Sequence, residues 1–343
     1  MTELDSVGTA QTVRGLPRSA WAYAARRVMH GFVRHRGIDA AAALTYYAAL
    51  AIFPAALTVV AAFSLGNGRR DAAAVILDIV DEVAQASTVD AIRGPLTELF
   101  TVTNPGIAFA VGIALSLWAL SSYATAFGRA VNSVYELEEG RQLWKFRGTM
   151  LLLSVFLLVM FAAVIVLLLT TPRLAAAIAA SLGVGEPWIT VWNAGRWPVL
   201  LALVTLLIAV LYYFTPNLRR HRMRWVSFGA VFVIVVWGAA TALFALYVAT
   251  VGTYDRIYGW LGGAIALLVW LYITNFVLVL GAEVDAEVVR LRQLGAGIAA
   301  ESIVQLPMRD TARNHMLARQ RAKDEAEGRV MREEAAGGDA SRG

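Results

Sequence analysis

The chain has 343 residues, 58% of them hydrophobic and 16% charged, with a mean hydropathy of +0.60 and a formal net charge of +5. That balance lies outside the range of ordinary soluble domains. Cysteine is absent, which excludes disulfides, thiolate metal sites and thiol nucleophiles.

Six stretches contain no Asp, Glu, Lys, Arg or His: 43–65, 105–127, 149–171, 197–214, 225–249 and 260–282. A hydrocarbon layer about 30 Å thick needs roughly 20 apolar residues at about 1.5 Å each, so every stretch is long enough to cross it as a helix. Buried helices of soluble proteins are shorter and keep charge on a wet face. Barrel strands alternate polar and apolar residues, which these blocks do not. The predicted fold is therefore an all-α integral membrane protein, a bundle of six transmembrane helices occupying 43–286.

Lys and Arg are retained on the cytoplasmic side during insertion. With the N-terminus inside, segments 1–42, 128–148 and 215–224 hold 14 Lys plus Arg in 73 residues, against 6 in 74 for 66–104, 172–196 and 250–259. The bias places both termini in the cytoplasm. Arg219, Arg220, Arg222 and Arg224, with no acid nearby, make the shortest inner loop the most telling.

Along the chain, residues 1–42 form a basic segment without the features of a cleavable signal peptide. After Pro17, the residues Trp21, Ala25, Val28, Met29 and Phe32 recur at helical spacing among Arg26, Arg27, His30 and Arg34. Two readings stand side by side: an amphipathic helix on the anionic inner leaflet with its aromatic face among the headgroups, or arginines that only fix topology. The first span carries Tyr46 and Tyr47 at its inner end, as interfacial aromatics or polar path groups, and Pro54 at its middle, where an intrahelical hydrogen bond is lost.

The outer loop 66–104 is too long for a turn, and Val75, Ile76, Ile79, Val80 and Val83 predict extra helix there. In the second span Ser116, Ser121, Ser122, Tyr123 and Thr125 gather towards Arg129 and Asn132; such hydroxyls bond across helices or line a path. A short re-entrant or surface helix is expected near 173–181. Before the sixth span come Tyr254, Asp255, Arg256 and Tyr258, then Gly259 and Gly263, a GxxxG pair that predicts close helix packing. At its inner end Asn275, Glu283, Asp285 and Glu287 follow. Acids at a helix C-terminus oppose the macrodipole, so basic partners are expected, with Arg129 and the 219–224 arginines on the same side. The tail 287–343 reads as charged and largely flexible, a solvated helix or disordered chain beyond about Pro307.

No phosphate loop, H-E-x-x-H, G-x-S-x-G or dinucleotide fingerprint occurs. His30, His35, His221 and His315 pair with no acid at a metal-ligand spacing. No enzyme activity, cofactor, metal or nucleic-acid partner is expected. The spans hold no ionisable group of the strength that proton and ion pathways usually place at membrane depth, which moves attention to the inner boundary, where Arg129, the 219–224 arginines and Glu283 should meet.

The ordered set LTYYAALAIFP (44–54), SSYATAFGRAVNSVYELEE (121–139), WKFRG (144–148), LYYFTPN (211–217), YGWLGGAIALLVWLY (258–272) and LGAEVDAE (280–287) resembles the YihY/virulence factor BrkB family over about residues 30–292. The resemblance implies a bacterial inner-membrane protein with six helices. Members have carried a ribonuclease BN label and a virulence label. Positions matching the family's recurring polar residues are Tyr46, Tyr47, Pro54, Arg129, Asn132, Pro216, Asn217, Tyr258, Gly259, Gly262 and Glu283. The expected role is a transport or export component for a lipid-linked, amphipathic or small organic molecule. Its path or gate would be formed by Tyr46, Tyr47, Pro54, Arg129, Asn132, Asn217, Tyr258, Gly259 and Glu283. The alternative is a non-transporting scaffold for envelope assembly. Expected partners are the bilayer, anionic lipids at the cytoplasmic face, and a second copy or an envelope protein.

Overall fold

A computed structural model describes residues 17–67, 104–170, 186–218, 228–250 and 260–340. Its helices are α1 (Arg18–Arg34), α2 (Gly37–Asn67), α3 (Pro105–Val134), α4 (Leu143–Leu169), α5 (Glu186–Phe214), α6 (Phe228–Thr250), α7 (Trp260–Gly295) and α8 (Ala312–Ala340). Among the described residues the only extended pairing is an isolated bridge between Leu218 and Met308. The expected outer-loop helix, the 173–181 segment, the arginines at 219–224, and Tyr258 with Gly259 lie outside the described residues.

Five helices are long and apolar enough to cross a membrane: Gly106–Val134, Leu143–Leu167, Trp188–Phe214, Phe228–Val248 and Gly262–Gly295. Within α2, which carries the first charge-free block, Gly37–Ile52 is a shorter apolar helix. The outward faces match a hydrocarbon environment, since Trp118, Leu152, Val159, Val235 and Leu243 are all exposed. Asn104 caps α3, its side-chain oxygen accepting from the Gly106 and Ile107 amides at 3.1 and 3.3 Å, with Pro105 opening the helix.

Helices α2 and α3 form the most extensive pair, and α7 lies against α2, α3 and α6. Helix α4 joins α3 to α5, while α1 rests on α7. The core between them holds Leu44, Phe127, Met150, Leu211, Val233 and Val279. Phe127 stacks between Tyr212 and Tyr123, with ring centroids 5.7 and 6.3 Å apart.

Of the glycine pair expected to bring helices together, Gly259 lies outside the described residues and Gly263 is not at a helix contact. A Cβ at Gly263 would find nothing within 4 Å, whereas a Cβ on Gly229 would stand 2.4 Å from the Gly281 carbonyl oxygen. The close approach is thus between α6 and α7 at Gly229 and Gly281. The reason is facing: one glycine spacing on one helix does not say which side meets a neighbour.

Helix α7 runs past the sixth charge-free block to Gly295. It stops in a Schellman turn, with the Ile298 amide on the Gln293 carbonyl (2.9 Å), the Gly297 amide on Leu294 (3.0 Å), and Gly297 at φ +77°. The chain then doubles back with Ala300 and Val304 buried, and Gln293 and Gln305 bonded reciprocally at 2.8 and 3.0 Å. The stretch 287–310, expected as the start of a loose tail, is therefore packed on the bundle. Helix α8 beyond it is exposed along its described side chains from Arg319 to Glu333.

Candidate functional site

The buried charged side chains among the described residues, Arg141, Glu283, Asp285, Glu287 and Arg290, collect at one end of the bundle, where α1, the last turns of α7, the α3–α4 connection and the end of α5 converge. Glu283, Glu287 and Arg290 recur one turn apart on α7, and all three are buried. Arg27, Gly31 and His35 recur at the same interval across from them. The Arg27 Nε donates to both Glu287 carboxylate oxygens at 3.2 Å, and the Arg290 Nε donates to Glu287 Oε1 at 3.1 Å. Partial burial works against the Arg27 charge, but Glu287 and Tyr23 together outweigh it and lift the Arg27 pKa above its ordinary value. The Arg290 guanidinium also donates to the Ala300 and Glu301 carbonyls, tying the doubled-back segment to the same carboxylate.

One turn up, His35 Nδ1 lies 2.7 Å from Glu283 Oε1. The two side chains fit because residue 31 is glycine: a Cβ there would stand 2.8 Å from Glu283 Oε2. On the far side of the imidazole, Glu136 Oε1 is 3.7 Å from His35 Nε2 and 2.5 Å from Arg34 Nη2. Glu136 reaches that position from the left-handed region at φ 54°, just after α3 ends, a conformation that costs a non-glycine residue about 1 kcal/mol or more. Asp285, next on α7, accepts from the Tyr135 hydroxyl at 3.0 Å and from the Gly229 amide at 3.3 Å.

A second cluster is centred on Asn217, which is fully buried. Its amide N–H donates to Asn132 Oδ1 (2.9 Å), its side-chain nitrogen donates to the Asp310 carbonyl (2.8 Å) and that of Glu138 (3.3 Å), and its Oδ1 accepts from the Asp310 amide (3.1 Å). Asn132 in turn donates to Glu139 at 3.0 Å. Glu139 holds Arg141 through two parallel bonds of 2.7 and 2.8 Å, and Arg141 closes the ring on the Thr215 carbonyl at 2.7 Å. One asparagine therefore fastens the end of α5 to the α3–α4 connection and to the chain before α8. Asn217→Ala removes three side-chain bonds and leaves buried groups unmatched, each costing about 1–3 kcal/mol. We expect a thermal unfolding midpoint several degrees lower in detergent, together with protease cleavage near 298–311; an unchanged digestion pattern would refute the fastening role.

Deeper in the bundle, the Tyr123 hydroxyl donates to Asn275 Oδ1 at 2.9 Å, and Asn275 Nδ2 contacts Thr45 Oγ1 at 3.4 Å, a weaker bond. The chain Thr45, Asn275, Tyr123 joins α2, α7 and α3. Thr58 and Ser116 make a further α2–α3 contact at 3.4 Å, and Thr58 also bonds the Pro54 carbonyl at 2.8 Å.

Of the residues singled out in the sequence, Asn132 and Asn217 are in contact and Glu283 is buried. Tyr46 is 61% exposed, its ring 5.5 Å from that of Tyr47, which packs against the core. Arg129 is exposed, and Glu283 takes His35 as its partner in its place. Sequence reasoning named Arg27 and His35 without their carboxylate partners and missed Glu139, Arg141 and Arg290. The matched four-residue intervals of 27, 31 and 35 against 283 and 287 were a readable signal; the long-range tie from Asn217 to Asp310 carried none.

An all-helical chain with this many bilayer-length apolar helices is a multi-pass membrane protein. The model of the virulence factor BrkB family matches residues 28–302, and the chain belongs to that family. It is similar to YfkH of Bacillus subtilis (strain 168), whose name describes it as ribonuclease-like, at 27% identity over 74% of this chain and 91% of the relative. It also resembles UPF0761 membrane proteins of Alkalilimnicola ehrlichii (28% identity, 79% of this chain) and Laribacter hongkongensis (27%, 80%), spanning 60% and 61% of their lengths. No solved structure matches.

Proposed function

We propose that the chain is a six-span protein of the bacterial inner membrane, with both termini cytoplasmic, and that it serves as a transport or export component for a lipid-linked, amphipathic or small organic molecule. The network end of the bundle is then its cytoplasmic end. The observation that carries the reading is the buried Thr45–Asn275–Tyr123 chain, which places polar groups of α2, α3 and α7 in one contact within the spans. Interhelical bonds of this kind are worth about 0.6–2 kcal/mol each, weak enough to exchange for a polar headgroup. Tyr46, beside Thr45 and exposed, offers that group a lateral approach.

Ribonuclease chemistry forms no part of this reading. The buried acids are already engaged: Glu283 by His35, Asp285 by Tyr135 and Gly229, Glu287 by Arg27 and Arg290. Flux of fluorescent phospholipids and small organic solutes through liposomes containing the purified chain tests the proposal. Transport above empty vesicles, lost on Asn275→Leu with folding retained, is the expected result; no flux across a broad panel would overturn it.

The exposed α8 favours a second reading, a scaffold for an envelope partner, because a solvated helix held by pairs such as Arg321 to Glu138 at 3.4 Å is placed to meet another protein. Crosslinking from α8 that recovers one stoichiometric partner, with transport absent, would select it.

A further inference from the structure

We infer that α1 is an in-plane interfacial helix whose uncovered apolar stripe enters the inner leaflet beside α6, with its arginines among anionic phospholipid headgroups. The position of α1 follows from contacts at its two ends. At the start, Trp21 meets Phe228, the first residue of α6, with ring centroids 5.7 Å apart. The next residue, Gly229, stands against Gly281 and Asp285 of α7. At the other end, His35 meets Glu283 of α7. Residues 281 to 285 cover only about 6 Å of helix at about 1.5 Å per residue. Contacts at the two ends of α1 thus fall at the same short stretch of α7 and its α6 neighbour, while Arg27 between them reaches Glu287 one turn further on.

The apolar sector of α1 is wider than the contact it makes. Ala24, Val28, Gly31 and Phe32 are buried. Beside them a second stripe, Trp21, Ala25, Met29 and Val33, is uncovered; Met29 is 62% and Val33 71% exposed. Arg18, Arg26 and His30 are exposed around it. The stripe meets Phe228, itself 46% exposed at the foot of a membrane helix, so it continues the lipid-facing surface of the spans. A helix with an apolar side and basic flanks at this depth matches an anionic leaflet in both shape and charge. The structure thus divides the face read from the sequence: one half holds α7, the other half is left for lipid.

Because the chain has no cysteine, a single introduced thiol reports one place. Full-length Met29→Cys, on the uncovered stripe, and Ser19→Cys, about 80° round the helix on the side of Arg26 and His30, are spin-labelled and reconstituted into phosphatidylcholine bilayers with and without phosphatidylglycerol. The label on Met29→Cys should be more accessible to oxygen than to a water-soluble nickel chelate, and that on Ser19→Cys the reverse. A fluorophore on Met29→Cys should be quenched more by brominated phosphatidylglycerol than by brominated phosphatidylcholine, and Arg18→Gln with Arg26→Gln should reduce the preference, by about fivefold per arginine. Equal aqueous access at both sites would overturn the membrane surface, and motion that slows as protein density rises would assign the stripe to a second copy. Equal quenching by the two lipids would overturn the anionic preference. The inference takes the word inner from the topology proposed above. Chemical labelling of the same thiol from outside intact cells would overturn that topology and leave the depth result standing.

Discussion

Glu287→Ala is expected to lower the stability of the folded chain by about 3–5 kcal/mol, the cost of leaving a buried charge without its counter-ion. Glu287 is 5% and Arg290 3% exposed, and Arg27 converges on the same carboxylate. Removing the acid leaves two guanidiniums facing each other at a site from which water is largely excluded. It also frees the segment that Arg290 holds through the Ala300 and Glu301 carbonyls. Thermal unfolding in detergent should show the loss directly. The fitting control is Arg321→Ala, which removes a pair whose side chains are 65% and 57% exposed and should cost no more than about 1 kcal/mol. A cycle with Arg27→Ala separates the pair from the rest of the network, with a coupling of about 0.5–3 kcal/mol expected for groups in contact. If Glu287→Ala unfolds no earlier than Arg321→Ala, the ladder between α1 and α7 does not hold the two helices together.

That ladder also shows how far the sequence could be read. Charge-free blocks mark where helices lie in hydrocarbon, because a charge there is expensive, and five of the six coincide with membrane-length apolar helices. They do not mark where helices end. Helix α7 continues to Gly295 because α1 and the doubled-back chain satisfy its Glu283, Glu287 and Arg290, information held in three separate parts of the sequence. The need for a partner at Glu283 followed from electrostatics alone; of the partners expected, Arg129 is exposed and the 219–224 arginines lie outside the described residues, while tertiary packing brings His35 of α1 to that carboxylate. Asn217 stood out by resemblance, and Gly295 and Gly297 mark the end of α7, but nothing local says that the chain beyond them returns to set Asp310 on Asn217.

Glycine packing shows the same limit. Gly229→Leu is expected to abolish stable folding, while Gly263→Leu should be neutral in the monomer. At Gly229 a Cβ alone would sit 2.4 Å from the Gly281 carbonyl oxygen and 2.6 Å from the Asp285 Cβ, and neither atom lies at the end of a flexible side chain. The helices must separate, which also strains the Gly229 amide to Asp285 bond of 3.3 Å and with it the Tyr135 to Asp285 bond of 3.0 Å. Overpacking by one or two methylenes costs about 1–3 kcal/mol where side chains give way; a leucine against backbone exceeds that. Without a hydrophobic force between helices in lipid, close contact is a large part of what holds α6 to α7. The measurements are yield of monodisperse protein and the thermal midpoint in detergent, with Gly229→Ala as the milder step. At Gly263 the same leucine meets open space, so a loss of stability there would mean that another copy of the chain occupies that face in the membrane.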